Sequence, residues 1–194
     1  MDWLKKLLNL KTKVDPKTVA IEEAIGKNAY LVRNSEGKYG LIRRNYSIII
    51  PLEYEEVKRN KSRTFQARRT MNETQHTDLY SSTGQCLGRN VQLLKDQRNF
   101  LIFGQENGEQ KLFSRAQNRV ILRRIQEATL EDAHVLAKAD NMWFLLDSDG
   151  RLLFKSFSPF EEVNRFFSDV RYRTKDKDGF PRIISSGGGT FFDD

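Results

Sequence analysis

The chain has 194 residues and a formal charge of +7, from 33 lysines and arginines against 26 aspartates and glutamates, which favours anionic partners without naming one. One cysteine, Cys86, and two histidines, His76 and His134, exclude an internal disulfide framework and leave metal chemistry poorly supplied. No run reaches the ~18 apolar residues of a membrane span, and the start lacks the pattern of a secretory leader, so the expected location is the cytoplasm.

Residues 1–13 place Trp3, Leu4, Leu7, Leu8 and Leu10 at spacings of three and four among Lys5, Lys6, Lys11 and Lys13. That spacing predicts a short amphipathic basic helix, marginal alone and ordered only against something else. It either packs on the domain edge or docks, through Trp3, Leu4, Leu7 and Leu8, on a partner or a membrane surface. Val14-Asp15-Pro16 reads as a linker, so residues 1–15 form a first segment.

From Gly37 the chain runs Gly37-Lys38-Tyr39-Gly40-Leu41-Ile42, then a polar stretch to Ser47, then Ile48-Ile49-Ile50-Pro51 and Tyr54-Glu55-Glu56-Val57. Two short aliphatic runs around a polar segment predict hairpin arms, and Pro51, with no amide proton to donate, ends the second. This block resembles the WG-repeat family. Tyr39 stands where the family has Trp, Gly40, Pro51, Tyr54 and Val57 match, and Tyr46 departs from the turn glycine.

Weaker copies follow. Counting from positions 39, 77, 111 and 143, a turn residue recurs seven places on: Tyr46, Gly84, Asn118 and Gly150. Each copy is preceded by another strand-like run (residues 29–32, 64–67, 100–103 and 134–137), so the unit reads as about three strands. The resemblance implies a mainly β array of about four degenerate hairpin or meander repeats over residues 16–184, propeller- or solenoid-like, whose units bury one another's faces, and it makes Tyr39, Tyr54, Phe113 and Trp143 core. WG-like arrays are most familiar in bacteria and phage.

After Val163, Arg171, Arg173 and Lys175 recur at period two and share one face of a strand. Asp178-Gly179 marks a turn. Residues 185–194 read as a flexible Ser/Gly stalk ending in Phe191, Phe192, Asp193 and Asp194, a candidate docking end.

Catalysis needs convergent groups, and none recurs at a recognisable spacing. Cys86 reads as a buried structural thiol. Asp147-Ser148-Asp149-Gly150 and Asp176-Lys177-Asp178-Gly179 lack the remaining ligands of a calcium loop and read as turns. The expectation is a protein without enzymatic activity, cofactor or metal. Lys58, Arg59, Lys61, Arg63, Arg68 and Arg69 form a basic run with Phe65 inside it, and Arg115, Arg119, Arg123 and Arg124 form a second. Joined to Arg171, Arg173 and Lys175 they would follow a phosphate backbone, with Phe65 or Tyr172 stacking on bases. The leading expectation is a non-catalytic adaptor for a protein partner. The alternatives are an accessory nucleic-acid binder using the basic face, and peripheral membrane attachment through residues 1–13.

Overall fold

Short aliphatic runs punctuated by Gly, Asn and Asp cannot bury themselves locally; they fold as antiparallel meanders. The computed structural model describes residues 13–131, 133–166 and 169–192. Among these, strands form five four-stranded antiparallel sheets in chain order. The first holds β1 (Val19–Ile25), β2 (Ala29–Asn34), β3 (Tyr39–Arg43) and β4 (Ile48–Tyr54); the second β5 (Glu56–Arg59), β6 (Phe65–Met71), β7 (Thr74–Tyr80) and β8 (Cys86–Gly88). The third holds β9 (Gln92–Asp96), β10 (Phe100–Gly104), β11 (Gln110–Ser114) and β12 (Arg119–Arg123); the fourth β13 (Ile125–Leu130), β14 (His134–Ala139), β15 (Met142–Asp147) and β16 (Leu152–Ser156). The fifth holds β17 (Glu161–Phe166), β18 (Asp169–Lys175), β19 (Pro181–Ser185) and β20 (Thr190–Phe192). A 3-10 turn, Pro16–Thr18, precedes β1, with the Asp15 carboxylate accepting from Lys17 N–H at 2.9 Å.

The repeat is therefore four strands and not three, and the described residues hold five copies and not four. Tyr54-Glu55-Glu56-Val57, placed by sequence in the first copy, instead spans two sheets, with Glu56 opening the second as β5. In the fifth copy the position from which the seven places are counted is Pro181, the first residue of β19, where a missing N–H is tolerated. The expected stalk is a correction of another kind: Gly187 and Gly188 sit in the β19–β20 turn, and Phe191 pairs with Ile183 and Phe192 with Arg182. Trp3, Leu4, Leu7 and Leu8 of the expected helix, and Asp193 and Asp194, lie outside the described residues.

The chain divides into two compact units, one of residues 1–60 and 64–91, the other of residues 61–63 and 92–194. In the first, Leu41, Ile50 and Tyr54 of the first sheet pack with Val57, Phe65, Ala67 and Tyr80 of the second. In the other, Phe100, Ile102 and Leu112 pack with Ile125, Val135, Ala137 and Leu146, while Leu145 of the fourth sheet joins Phe160, Val170, Tyr172 and Ile184. Burying each such side chain contributes about 1.5–3 kcal/mol, and the apolar surface is shared between neighbouring sheets, as in other repeat arrays.

In the second, fourth and fifth copies the residue seven places on is where neighbouring sheets touch. Tyr46, Gly84, Asn118, Gly150 and Gly188 all have positive φ, between 51° and 98°. Gly84 abuts β4, where an added Cβ would meet Ile49 O at 2.5 Å, and Gly150 abuts β12 and β11, at 2.8 Å from Ile121 and 3.0 Å from Ser114. The Asp149 carbonyl accepts from Ser114 Oγ at 2.8 Å, and the Gly150 carbonyl from Gln117 Nε2 at 2.7 Å. In the first copy a tyrosine stands at this turn, and Val14 N–H donates to its carbonyl at 2.9 Å.

Gly40 has a separate cause. Tyr39 pairs with Tyr54 and Leu41 with Ile50, so this one residue faces Pro51, Leu52 and Glu53, and a Cβ would lie 2.8 Å from two carbonyl oxygens.

Candidate binding faces

The basic run from Lys58 to Arg69 does not stay free in the fold. Lys58 and Arg59 are exposed on β5, but Arg68 pairs with Glu56 at 3.0 Å. Arg69 reaches Glu53 and Asp78, each at 3.1 Å, and lies over the Tyr54 ring at 5.6 Å. Lys61 and Arg63 fall in the segment that belongs with the second unit; there the N–H groups of Lys61 and Ser62 donate to the Asp96 carboxylate at 2.8 and 3.0 Å. Phe65 is a core residue, 3% exposed, and cannot stack on a base.

Arg69 belongs instead to a buried polar network. Tyr54 Oη donates to Asp78 Oδ2 at 3.0 Å and lies 2.6 Å from Tyr80 Oη; Asn90 N–H reaches the other Asp78 oxygen at 3.1 Å. Burial raises both phenols above the ordinary tyrosine range, so both stay neutral and Tyr54 remains a donor to the Asp78 carboxylate.

On β18 the alternation is strict. Arg171, Arg173 and Lys175 point outward and Val170, Tyr172 and Thr174 inward. The expected basic row is present on one face, while Tyr172 is buried and unavailable for stacking. Its hydroxyl lies 2.6 Å from His134 Nε2. Glu131 stands 3.9 Å from His134 Nδ1 and is bound by Arg165 at 2.9 Å; Arg165 also holds Glu162. Burial pushes His134 below its ordinary value and Tyr172 up to about 12, and Arg165 holds both carboxyls low.

Beside this row the fifth sheet carries a cleft of about 320 Å³, lined by Ser158, Pro159, Glu161, Arg173, Thr174, Lys175 and Pro181. Two side chains that sequence reasoning passed over flank its lining residues: Phe157, 70% exposed, and Phe180, 60% exposed. Phe157 adjoins two serines and Phe180 a proline, and neither belongs to an apolar periodic pattern, so nothing marked them as binding residues. The loop is fixed to β18, with Ser156 Oγ donating to Lys175 O at 2.7 Å and Thr174 Oγ1 to Ser158 O at 3.2 Å. Lys175 in turn pairs with Pro181, so both exposed phenylalanines are held by ordered backbone.

Of the second basic run, Arg119 donates twice to Gln117 Oε1, at 3.0 and 2.8 Å, and Arg124 meets Asp140 at 3.5 Å. The Asp-rich turns are turns: Asp147 Oδ1 accepts the N–H groups of Asp149 and Arg151, and Asp176 Oδ1 those of Asp178 and Phe180. Cys86 is exposed and not buried, because β8 is only three residues long and lies at a sheet edge; local desolvation and the Asp78 carboxylate raise its pKa, which disfavours a nucleophilic thiolate. Among the described residues no group of three or more His, Cys, Asp or Glu side chains is placed to hold a metal ion, and no helix is long and apolar enough to cross a membrane.

No family model matches the chain, and no curated protein matches it. Among solved structures it is similar to the C-terminal WD40 domain of Sif2, at 12% identity and TM-score 0.28, covering 87% of this chain and 55% of that one. It is also similar to BamB from Moraxella catarrhalis, at 12% identity and TM-score 0.26 over 86% and 61%, and to Kluyvelomyces marxianus Hsv2, at 13% and 0.27 over 89% and 63%. The chain spans 55–63% of the length of these structures. The β-repeat architecture rests on the chain's own sheet topology.

Proposed function

We propose that the protein is a non-catalytic interaction module that offers the cleft of its fifth sheet to a protein partner in the cytoplasm. One observation carries this reading: Phe157 and Phe180 are both largely solvent-exposed, flanking residues of a proline-lined cleft edged by Arg173 and Lys175. Large aromatic side chains left on the surface with arginine at their border have the composition of binding hot spots. The WG-like pattern of the first copy supports a repeat scaffold, and a scaffold does not dictate activity. The test is affinity capture from source cells with the full chain and with a Phe157→Ser, Phe180→Ser double variant, each with and without nuclease. A protein retained by the first, lost with the second and indifferent to nuclease supports the proposal; identical capture by both chains overturns it.

A second reading draws on the outward row of Arg171, Arg173 and Lys175, which together with exposed phenylalanines would suit single-stranded nucleic acid. It requires affinity that falls steeply with salt and capture that nuclease abolishes. Membrane attachment through residues 1–13 requires liposome binding that disappears when those residues are deleted.

A further inference from the structure

We propose that a second site, the groove between the third and fourth sheets, binds an extended protein segment with acidic residues at one end and apolar side chains behind them. The groove encloses about 580 Å³, and its lining includes Ile121 and Leu122 of β12, Phe144 and Leu146 of β15, and Leu152 of β16. A register shift in the pairing of β11 with β12 leaves Ile121 out of the ladder; the bulge lets two successive residues, Ile121 and Leu122, line the same groove. Leu152 is 52% exposed, an apolar side chain whose remaining surface nothing in the fold covers.

The polar groups of the groove are concentrated at one end. Gln117 Nε2 clamps the Asp149 and Gly150 carbonyls at 3.2 and 2.7 Å, and its Oε1 fixes the Arg119 guanidinium. Arg151, next to the clamped Gly150, has a side chain 75% exposed and, among the described residues, meets the Asp149 carboxylate at 3.9 Å. Two guanidinium groups thus stand at the Gln117–Gly150 end of a floor that is otherwise apolar, and no carboxylate lines the groove. Guanidinium forks match carboxylates, and the chain's charge of +7 favours encounter with an acidic segment. An apolar floor behind a fixed cationic end selects a short peptide over a nucleic acid, whose charge repeats along its whole length.

The probe is a fluorescein-labelled peptide, Asp-Asp-Leu-Leu-Phe-Leu, titrated with the full chain by fluorescence anisotropy. Saturable binding with Kd below ~1 mM is expected, about tenfold weaker for Arg151→Glu and for Leu152→Glu, and within about threefold of the unaltered chain for Arg151→Lys. Replacing the two aspartates of the peptide by asparagine weakens binding by about tenfold as well. Both substituted side chains are solvent-exposed, and far-UV circular dichroism confirms that each variant is folded; were Leu152→Glu to misfold, Arg151→Glu tests the same end alone. Absence of saturable binding, equal affinity for the Glu variants, displacement of the peptide by oligothymidylate, or loss of binding through Phe157→Ser instead would each overturn the assignment.

Discussion

Gly150 stands so close to Ile121 that a β-carbon on the glycine would lie 2.8 Å from Ile121 Cδ1. It also has φ of +82°, a conformation in which a side chain is strained. Gly150→Ala therefore combines about 1–2 kcal/mol of backbone strain with overpacking toward the low end of about 1–3 kcal/mol, because Ile121 Cδ1 is the free end of a side chain while Ser114 Cβ, at 3.0 Å, must also give. Gly179 separates the two effects, since its φ is +87° but nothing lies within 4 Å of an added Cβ. Urea unfolding is expected to show a loss of about 3 kcal/mol for Gly150→Ala and about 1 kcal/mol for Gly179→Ala; equal losses would show that the sheet contact carries no weight.

Asp78 is 1% exposed and accepts from Tyr54, Arg69 and the backbone of Asn90 at once. Removing one partner of a buried charged network leaves the others unpaired, at a cost of about 3–5 kcal/mol, so Asp78→Ala is expected to lose roughly that, toward the low end because Arg69 keeps Glu53 and partial solvent access. Tyr80→Phe removes only the contact with Tyr54 Oη and costs about 1 kcal/mol. The comparison is made by denaturant melts of both variants; a Tyr80→Phe loss as large as that of Asp78→Ala would put the weight of the network on the phenols.

His134 gives the fold a pH dependence distinct from that of its carboxylates. Burial lowers its pKa in the folded state, opposed by Glu131 and reinforced by Arg165, with Glu162 and Asp169 also nearby. Between the folded value and the ordinary one of about 6.5 the unfolded chain binds the extra proton. Stability from the neutral imidazole is thus fully present above about pH 6.5 and declines as pH falls below it. Glu131 and Glu162, lowered by their bonds to Arg165, add a further decline only below about pH 4.5. Midpoints of urea unfolding at pH 7.5 and 5.5 are expected to differ for the unaltered chain and to converge for His134→Gln; a persisting difference would assign the effect elsewhere.

The repeat was legible where one physical demand fell on one position. Tyr46, Gly84, Asn118 and Gly150 stood out because a positive-φ turn, pressed in the Gly84 and Gly150 copies on a neighbouring sheet, tolerates few residues. Gly188 obeys the same rule, but it sits in a Ser/Gly-rich run that reads by composition as a flexible stalk. The first strand of each sheet was missed because β5 and β9 are largely exposed, so they lack the apolar alternation by which strands are recognised. On β18 the alternation was read on one side only: the same period that turns Arg171, Arg173 and Lys175 outward turns Tyr172 inward. The fate of Arg68 and Arg69 was not legible, since Glu56, Glu53 and Asp78 become their partners only through strand pairing and sheet packing.

Phe157 and Phe180 distinguish a binding role from a structural one. Because each is more than half exposed, replacing it by serine removes little packing, and stability should change by no more than about 0.5 kcal/mol. A phenylalanine that anchors a partner, by contrast, costs about 2 kcal/mol or more of binding energy when truncated, roughly a thirtyfold loss of affinity. The two variants and their double are measured by urea melts and, against the partner retained in affinity capture, by titration calorimetry. Unchanged melts with lost affinity place the partner on the fifth-sheet cleft, and Arg173→Glu should then weaken the same complex in a salt-dependent way. Unfolding at lower urea for either serine variant would mean that these rings support the fold, and unchanged affinity would move the partner to another surface.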